Sequence, residues 1–308
     1  MTDYLALRAI NEADLKERMR AICVDALDEI SREIDRFDRK YGVGTALEDA
    51  ALYRYKRLQM LSEAVNKVIR NLTPEMADMV YSFAEESYVT GYYWNTFVAD
   101  MTVPFAVNFA GVNERLLRAS VDRKIVGLTL KDRLSSRRFM RLWDERDAVA
   151  KAQILGYGER KTANEIIKTW GPKDAIKKDI LEKVDRTYSD AVRIARTESC
   201  RNATEAANHA NADMMRDNEI DVRNVWLSSH DERTRSSHRV LDGKCADIWS
   251  DKYQMYCFSH NGVVSPGPGR WSEPGMNINC RCSMSPRVMG YEDFEAKYED
   301  FYGWLDRI

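Results

Sequence analysis

No stretch of eighteen consecutive apolar residues occurs in the chain, so none of its helices is expected to cross a bilayer, which takes about 20. The opening residues MTDYLALRAINEADLKERMR lack the apolar segment and the cleavage site of a secretory signal. A cytoplasm is the expected place of synthesis, and no membrane partner is expected. Cysteine is scarce, six in 308 residues, which excludes a disulfide scaffold and leaves thiols or metal ligands in a reducing compartment. Net charge is only −2, so the molecule as a whole has no reason to coat nucleic acid, and any DNA contact must be local. Low-complexity tracts are absent too. The 44% hydrophobic and 31% charged residues are those of an ordered globular chain, long enough for two or three domains of ~100 to 200 residues.

What is present begins with helical periodicity. Leu15, Met19, Ile22, Ala26, Ile30, Ile34, Phe37 and Tyr41 recur at spacings of three and four and predict one stripe of a long helix, ended by Gly42 and Gly44. Thr45 with Glu48 forms a capping-box pattern ahead of a second periodic set, from Leu47 to Leu72. Thr73 followed by Pro74 predicts the start of a third helix, running toward Tyr92, Tyr93, Trp94 and Phe97. Residues 111–220 stay helical in pattern, with breaks at Gly127, at Gly156 to Gly158 and at Gly171-Pro172. Near residue 221 the period shortens: Val222 to Ser228 reads as a strand, and Pro266, Pro268, Pro274 and Pro286 mark a loop-rich stretch with short strands.

Histidine and cysteine crowd into this last part. All four histidines and five of six cysteines lie between residues 200 and 282. A small loop-rich segment gains folding energy from one Zn²⁺ held by Cys and His. The set expected to hold it is His238, Cys245, Cys280 and Cys282, with Cys257 and His260 as a second pair. The competing reading is buried thiols without metal. The same residue types would suit a Cys-His hydrolase, with Cys280 or Cys282 as nucleophile, His238 as base and Asp231 or Asn279 orienting it. A Cys-x-Cys in a Pro- and Asn-rich loop offers no helix N-terminus to lower a thiol pKa, so no enzyme is expected.

In chain order stand Arg196-Thr197-Glu198 on a helix, Trp226 in the strand, DERTRSSH from Asp231 to His238, Leu241-Asp242-Gly243, Pro274, and Asn279-Cys280-Arg281-Cys282. This ordered set resembles the phage head morphogenesis family, the Mu F-like minor head proteins of tailed phages. GLTLKDRL from Gly127 and LGYG from Leu155, followed by ANEI from Ala163, fit its helical part, so the resemblance covers roughly residues 115–288. Asp251 to Val263 runs longer than the family's connection, and Asn277 to Asn279 stands where many relatives carry histidine or proline. The resemblance implies a virion protein attached to the portal inside the capsid, acting in head assembly and genome delivery, with no established catalysis. Beside the portal, packaged double-stranded DNA and a scaffold or major capsid protein are the implied partners. The alternative is a DNA-binding virion protein ejected with the genome.

Read from the residues themselves, Asp231 is expected to cap a short helix closed by Gly243, and Arg196 with Glu198 to supply a buried ion pair tying helix to sheet. Arg196, Thr197, Glu198, Asp231, Arg233, His238 and Asn279 together are expected to form a structural polar core. Between residues 115 and 141, nine basic side chains (Arg115, Arg118, Arg123, Lys124, Lys131, Arg133, Arg137, Arg138 and Arg141) face two acidic ones, a stretch suited to salt-dependent phosphate contact. In the tail, Phe294, Tyr298, Phe301, Leu305 and Ile308 predict an acidic aromatic helix that either packs on its own domain or docks on a partner. The fold expected is α+β: long antiparallel helices in the N-terminal two-thirds, then a small loop-rich α+β domain. Its parts are a helical region 1–110, the helical part of the family domain 111–220, a Cys/His-containing part 221–290 and a tail 291–308.

Overall fold

The computed structural model describes residues 4–41, 51–125, 127–135, 173–297 and 299–308. Among them are the long helices α1 (Tyr4–Tyr41) and α2 (Ala51–Met101), the short helices α3 (Glu114–Val121) and α4 (Leu130–Ser135), and the long α5 (Lys173–Asn218). The expected stripe of α1 is a buried one at Leu15, Met19, Ala26, Ile30 and Ile34. Pro74 does not start a helix of its own, because α2 runs through it. A proline inside a helix removes one N–H and costs about 3 kcal/mol. Here the ring is exposed, while Val68, Leu72, Met76 and Val80 keep one buried stripe at spacings of four on both sides of it. That burial offsets the lost bond.

The chain divides into two units, one of Met1–Leu15, Val80–Leu130 and Val192–Ile308, the other of Lys16–Met79 and Lys131–Ala191. In the second unit the Tyr188 hydroxyl donates to the Lys16 carbonyl at 3.5 Å, and Cys23, Ile30, Leu72 and Val184 are among its buried side chains. Burial pushes the Cys23 thiol up to about 11.

The first unit carries the sheets. α1 runs antiparallel to α5, since Glu12 meets Arg196 at 2.6 Å while Arg8 reaches Cys200. α2 runs parallel to α5: Ser87 bonds Ser199 at 2.8 Å and Asn95 bonds the Ala207 carbonyl at 3.2 Å, both at a sequence offset of 112. The antiparallel reading of the first two long helices thus holds, since α1 runs against both α2 and α5 while α2 and α5 are parallel.

After α5 come β1 (Val222–Leu227), α6 (Ser236–Leu241), β2 (Ile248–Ser250), β3 (Met255–His260), β4 (Val263–Ser265), α7 (Pro274–Asn277), β5 (Ser283–Val288) and α8 (Phe301–Arg307). β1 pairs antiparallel with β5, Trp226 opposite Met284, and β2, β3 and β4 form a second antiparallel sheet in that order. The strand expected at 222–228 is β1, and the α+β class stands. Trp226 is fully buried among Cys200, Leu241, Phe258, Trp271 and Met284, with Phe258 edge-on at 5.3 Å.

The tail departs from expectation. Among the described residues of the tail only Phe301–Arg307 is helical, and Asp300 caps it by accepting the Gly303 N–H at 2.9 Å. Tyr298 lies outside the described residues, and Ile308 is exposed. Phe301 and Trp304 are buried against Trp94, Phe97 and Met101 of α2, and the Trp304 indole N–H donates to Asp100 at 3.0 Å. Of the two outcomes read for this segment, the structure shows packing on its own unit. Trp304→Ala should lower stability by ~3–5 kcal/mol, and Tyr302→Ala, at a ring 57% exposed, by less than about 0.5 kcal/mol. Urea midpoints measure both, and equal shifts would show that the tail is not part of this core.

Candidate functional site at the Cys-x-Cys turn

Three elements of the first unit converge on the segment that leads into β5. The first is α5. Its Thr197 hydroxyl donates to the Arg193 carbonyl at 2.8 Å and accepts the Asn279 backbone N–H at 2.9 Å. Arg196 pairs with Glu12 and donates to the Asn279 side chain at 3.2 Å. Asn279 sits at φ 59, a left-handed conformation that asparagine tolerates better than most residues, and its bonds to Thr197 and Arg196 hold it there. Glu198 is fully buried, but its partner is Arg201, at 2.8 and 3.0 Å, and Arg201 also donates to the Ser120 carbonyl at 2.8 Å. The single ion pair expected between Arg196 and Glu198 is therefore two pairs: neighbours two apart point to different faces of a helix, so each finds its own partner.

The second element is the loop before α6. Asp231 does not cap that helix, which begins at Ser236 with Arg235 in the cap position and no side-chain cap bond. Instead its carboxylate takes the Arg281 guanidinium in two contacts, one at 2.8 Å, and the Thr234 hydroxyl at 3.1 Å. Arg281, and to a lesser degree Thr234, hold the Asp231 carboxyl below its ordinary value. Gly243 closes α6 at φ 72, as expected. Arg233 is exposed and acts on Asp231 through its charge.

The third element is α6 itself. His238 Nδ1 stands 3.3 Å from Cys282 Sγ and 3.6 Å from Cys280 Sγ, with all three residues buried. Residues two apart in extended chain face one side, which is how a Cys-x-Cys brings both sulfurs to one imidazole. Cys245 stays out of this group; its thiol turns to the Ala246 carbonyl at 3.9 Å, beside the bridge to Val225. Cys257 turns to Met255, and His260 meets the Trp271 ring. Cys200 takes the place beside the trio, donating to the Cys282 carbonyl at 3.5 Å, and Arg8 donates to that same carbonyl at 2.8 Å. The signal for Cys200 was its spacing: four residues past Arg196, it shares that residue's helix face. The hydrogen bond between Cys200 and Cys280 holds the Cys200 thiol down and pushes Cys280 up, and Cys280 in turn pushes Cys282 up.

A cavity of about 200 Å³, lined by Arg8, Glu12, Arg196, Asp231, Cys280 and Arg281 among others, lies over this turn. For thiol catalysis the arrangement is unsuited. His238 and both sulfurs are closed to solvent, His238 Nε2 has no hydrogen-bond partner among the described residues, and Asp231 is committed to Arg281. The basic stretch is broken up as well. Arg118 pairs with Glu85, and Arg123 with Glu205 at 3.7 Å. Arg115 and Lys124 are exposed, Lys131 and Arg133 have partners of their own, and Arg137, Arg138 and Arg141 lie outside the described residues.

The family model described as phage Mu protein F like protein matches residues 146–285, the stretch that holds every motif just placed around the turn. The minor head protein GP7 of Bacillus phage SPP1 is 23% identical over 269 residues, 87% of this chain and 80% of that protein. Over that stretch the chain is similar to the phage head morphogenesis family. This bears out the resemblance read over residues 115–288. A second member of the comparison, the NAD(+)–arginine ADP-ribosyltransferase EFV of Enterococcus faecalis (strain ATCC 700802 / V583), is 25% identical over 266 residues, 82% of this chain. The chain spans about half the length of that relative, 50%. No solved structure matches the chain.

The Asp231–Arg281 pair gives a pH test. A native carboxyl held below its unfolded value contributes stability that is complete above about 3.9 and is lost as pH falls through the depressed native value. Asp231→Asn should therefore be less stable than the parent chain at pH 7, and the gap should close below about pH 4. A gap that persists unchanged into that acid range would show that the pair contributes nothing through charge.

Proposed function

We propose that the protein is a minor head protein of a tailed phage that binds the portal on the inner side of the procapsid and assists head assembly and genome delivery. The observation that carries this reading is the likeness to the SPP1 minor head protein, because its 269 aligned residues extend well beyond the segment 146–285 that the family model matches. The site supports it in a negative way: its charges are paired and its thiols closed, as a scaffold needs and a hydrolase does not. We read the chain as no enzyme. The transferase relative does not oppose this, since half of its length has no counterpart here. On this reading the protein sits in the virion interior near the portal, after assembly in the host cytoplasm alongside scaffold or major capsid protein.

Contact with packaged DNA is the second reading, favoured by the exposed Arg115 and Lys124 and by the surface positions of Arg118 and Arg123. Surface ion pairs such as theirs are weak, so phosphates compete for them readily.

Two measurements test these readings. Procapsids assembled with the cognate portal should carry the protein, and portal-less procapsids should lack it; equal incorporation in both would remove portal binding. Binding to a random duplex should weaken steeply from low to moderate salt, with a slope of about one per phosphate contacted. An affinity that ignores salt would remove the DNA reading and leave the portal reading intact.

A further inference from the structure

We propose that the buried thiols around the Cys-x-Cys turn form a zinc site, with His238 Nδ1, Cys280 Sγ and Cys282 Sγ as three ligands and Cys200 Sγ as the fourth. The proposal replaces Cys245, the fourth member of the set read from the sequence, by a residue of α5. Its first support is metric. Zinc–sulfur bonds of about 2.3 Å and zinc–nitrogen bonds of about 2.0–2.1 Å at tetrahedral angles set a sulfur-to-nitrogen edge of about 3.6 Å. The two edges in the structure are 3.3 and 3.6 Å. Both sulfurs address the same ring nitrogen, which a single S–H···N hydrogen bond does not require.

The second support is placement. Cys200 is not within the tight trio but lies one contact away, its thiol against the Cys282 carbonyl at 3.5 Å. Its thiol is also hydrogen-bonded to that of Cys280, which sets its sulfur beside one of the three ligands. The four ligands come from a long helix, a short helix and the turn before β5, so one ion ties together elements that otherwise share a small core.

The third support is charge. Binding would release three thiol protons to solvent and leave three thiolates, one imidazole and Zn²⁺, a net charge of −1. Arg8, hydrogen-bonded to the Cys282 carbonyl and to Cys200, supplies the compensating positive charge that a closed site needs. The residues are soft sulfur donors with one imidazole, the donor set that selects zinc over calcium or magnesium.

The test uses the full chain. Desalted protein produced with added zinc should carry one zinc per chain by elemental analysis. After chelation, Co²⁺ should restore thiolate-to-metal charge-transfer bands and the intense visible bands of a tetrahedral site. Cys280→Ser, Cys282→Ser and His238→Ala should each lose the metal, whereas Cys245→Ser and Cys257→Ser should retain it. Cys200→Ser should weaken binding by roughly tenfold or more while keeping some metal. The parent chain decides the matter even where a variant fails to fold. Folded protein that holds no zinc and gives no cobalt bands would overturn the site, and so would metal retained undiminished in Cys280→Ser and Cys282→Ser. Full affinity in Cys200→Ser would overturn the assignment of the fourth ligand.

Discussion

Gly91 of α2 lies so close to α5 that a Cβ placed there would stand 3.0 Å from the Ala203 Cα and 3.1 Å from its carbonyl oxygen. Two helices approach in this way only where both present small residues, and α5 offers Ala203, Ala206, Ala207 and Ala210, all buried. The close approach fixes the register of the parallel pair. One turn before it Ser87 meets Ser199, and one turn after it Asn95 reaches the Ala207 carbonyl and the Asn211 side chain. Further along, the Tyr92 hydroxyl donates to Asp213 at 2.8 Å, and Tyr88 pairs with His209, whose imidazole burial holds below its usual range. A slip of one residue would rotate every one of these groups about 100° away from its partner. Because α5 is held in this register, Arg196, Thr197 and Cys200 are set where the turn can meet them.

The opposite side of α5 is held by loop backbone. Thr204 donates to the Pro268 carbonyl at 2.7 Å, Asn208 to that of Pro266 at 3.5 Å, and Arg270 pairs with Glu205 at 2.7 Å. Gly269 sits at φ 75 with its Cα over the Arg201 backbone, where a Cβ would meet the Arg201 nitrogen at 3.1 Å. The prolines and glycines between Ser265 and Arg270 therefore do more than interrupt strands. They lay carbonyls against a helix whose polar side chains would otherwise be buried without acceptors, and that loss costs more than a hydrogen bond gains.

Local periodicity made the long helices, the Trp226 strand and the loop-rich segment legible in the sequence. It could not show that Pro74 leaves a helix intact, since that depends on the burial of Val68, Leu72, Met76 and Val80 outweighing one lost bond. Nor could it show the true extent of the tail helix, which is set by where Phe301 and Trp304 find Trp94 and Phe97. The partners of the site were hidden for the same reason. Arg8 lies 274 residues from Cys282, and Glu12 184 from Arg196, separations at which no spacing rule operates. The ordered motif set did carry the resemblance, because order survives in sequence even when pairing does not.

The pairing gives that order its physical sense. In Asn279-Cys280-Arg281-Cys282, the first and third residues go to charged partners, Arg196 for Asn279 and Asp231 for Arg281. The second and fourth go to the imidazole of His238. One short segment thus meets the cavity lined by Arg8, Glu12 and Arg196 through Cys280 and Arg281, and the core around Trp226 through Cys280 and Cys282. Residues one apart in extended chain face opposite ways, so a single inserted residue would exchange the two sides, driving a guanidinium into the thiol cluster and a thiol toward the carboxylate. Each motif element on α5, before α6 and on α6 has its counterpart at one position of this segment. The spacing of one residue between the cysteines, unpromising beside the two to four of ordinary zinc motifs, is what the alternation demands.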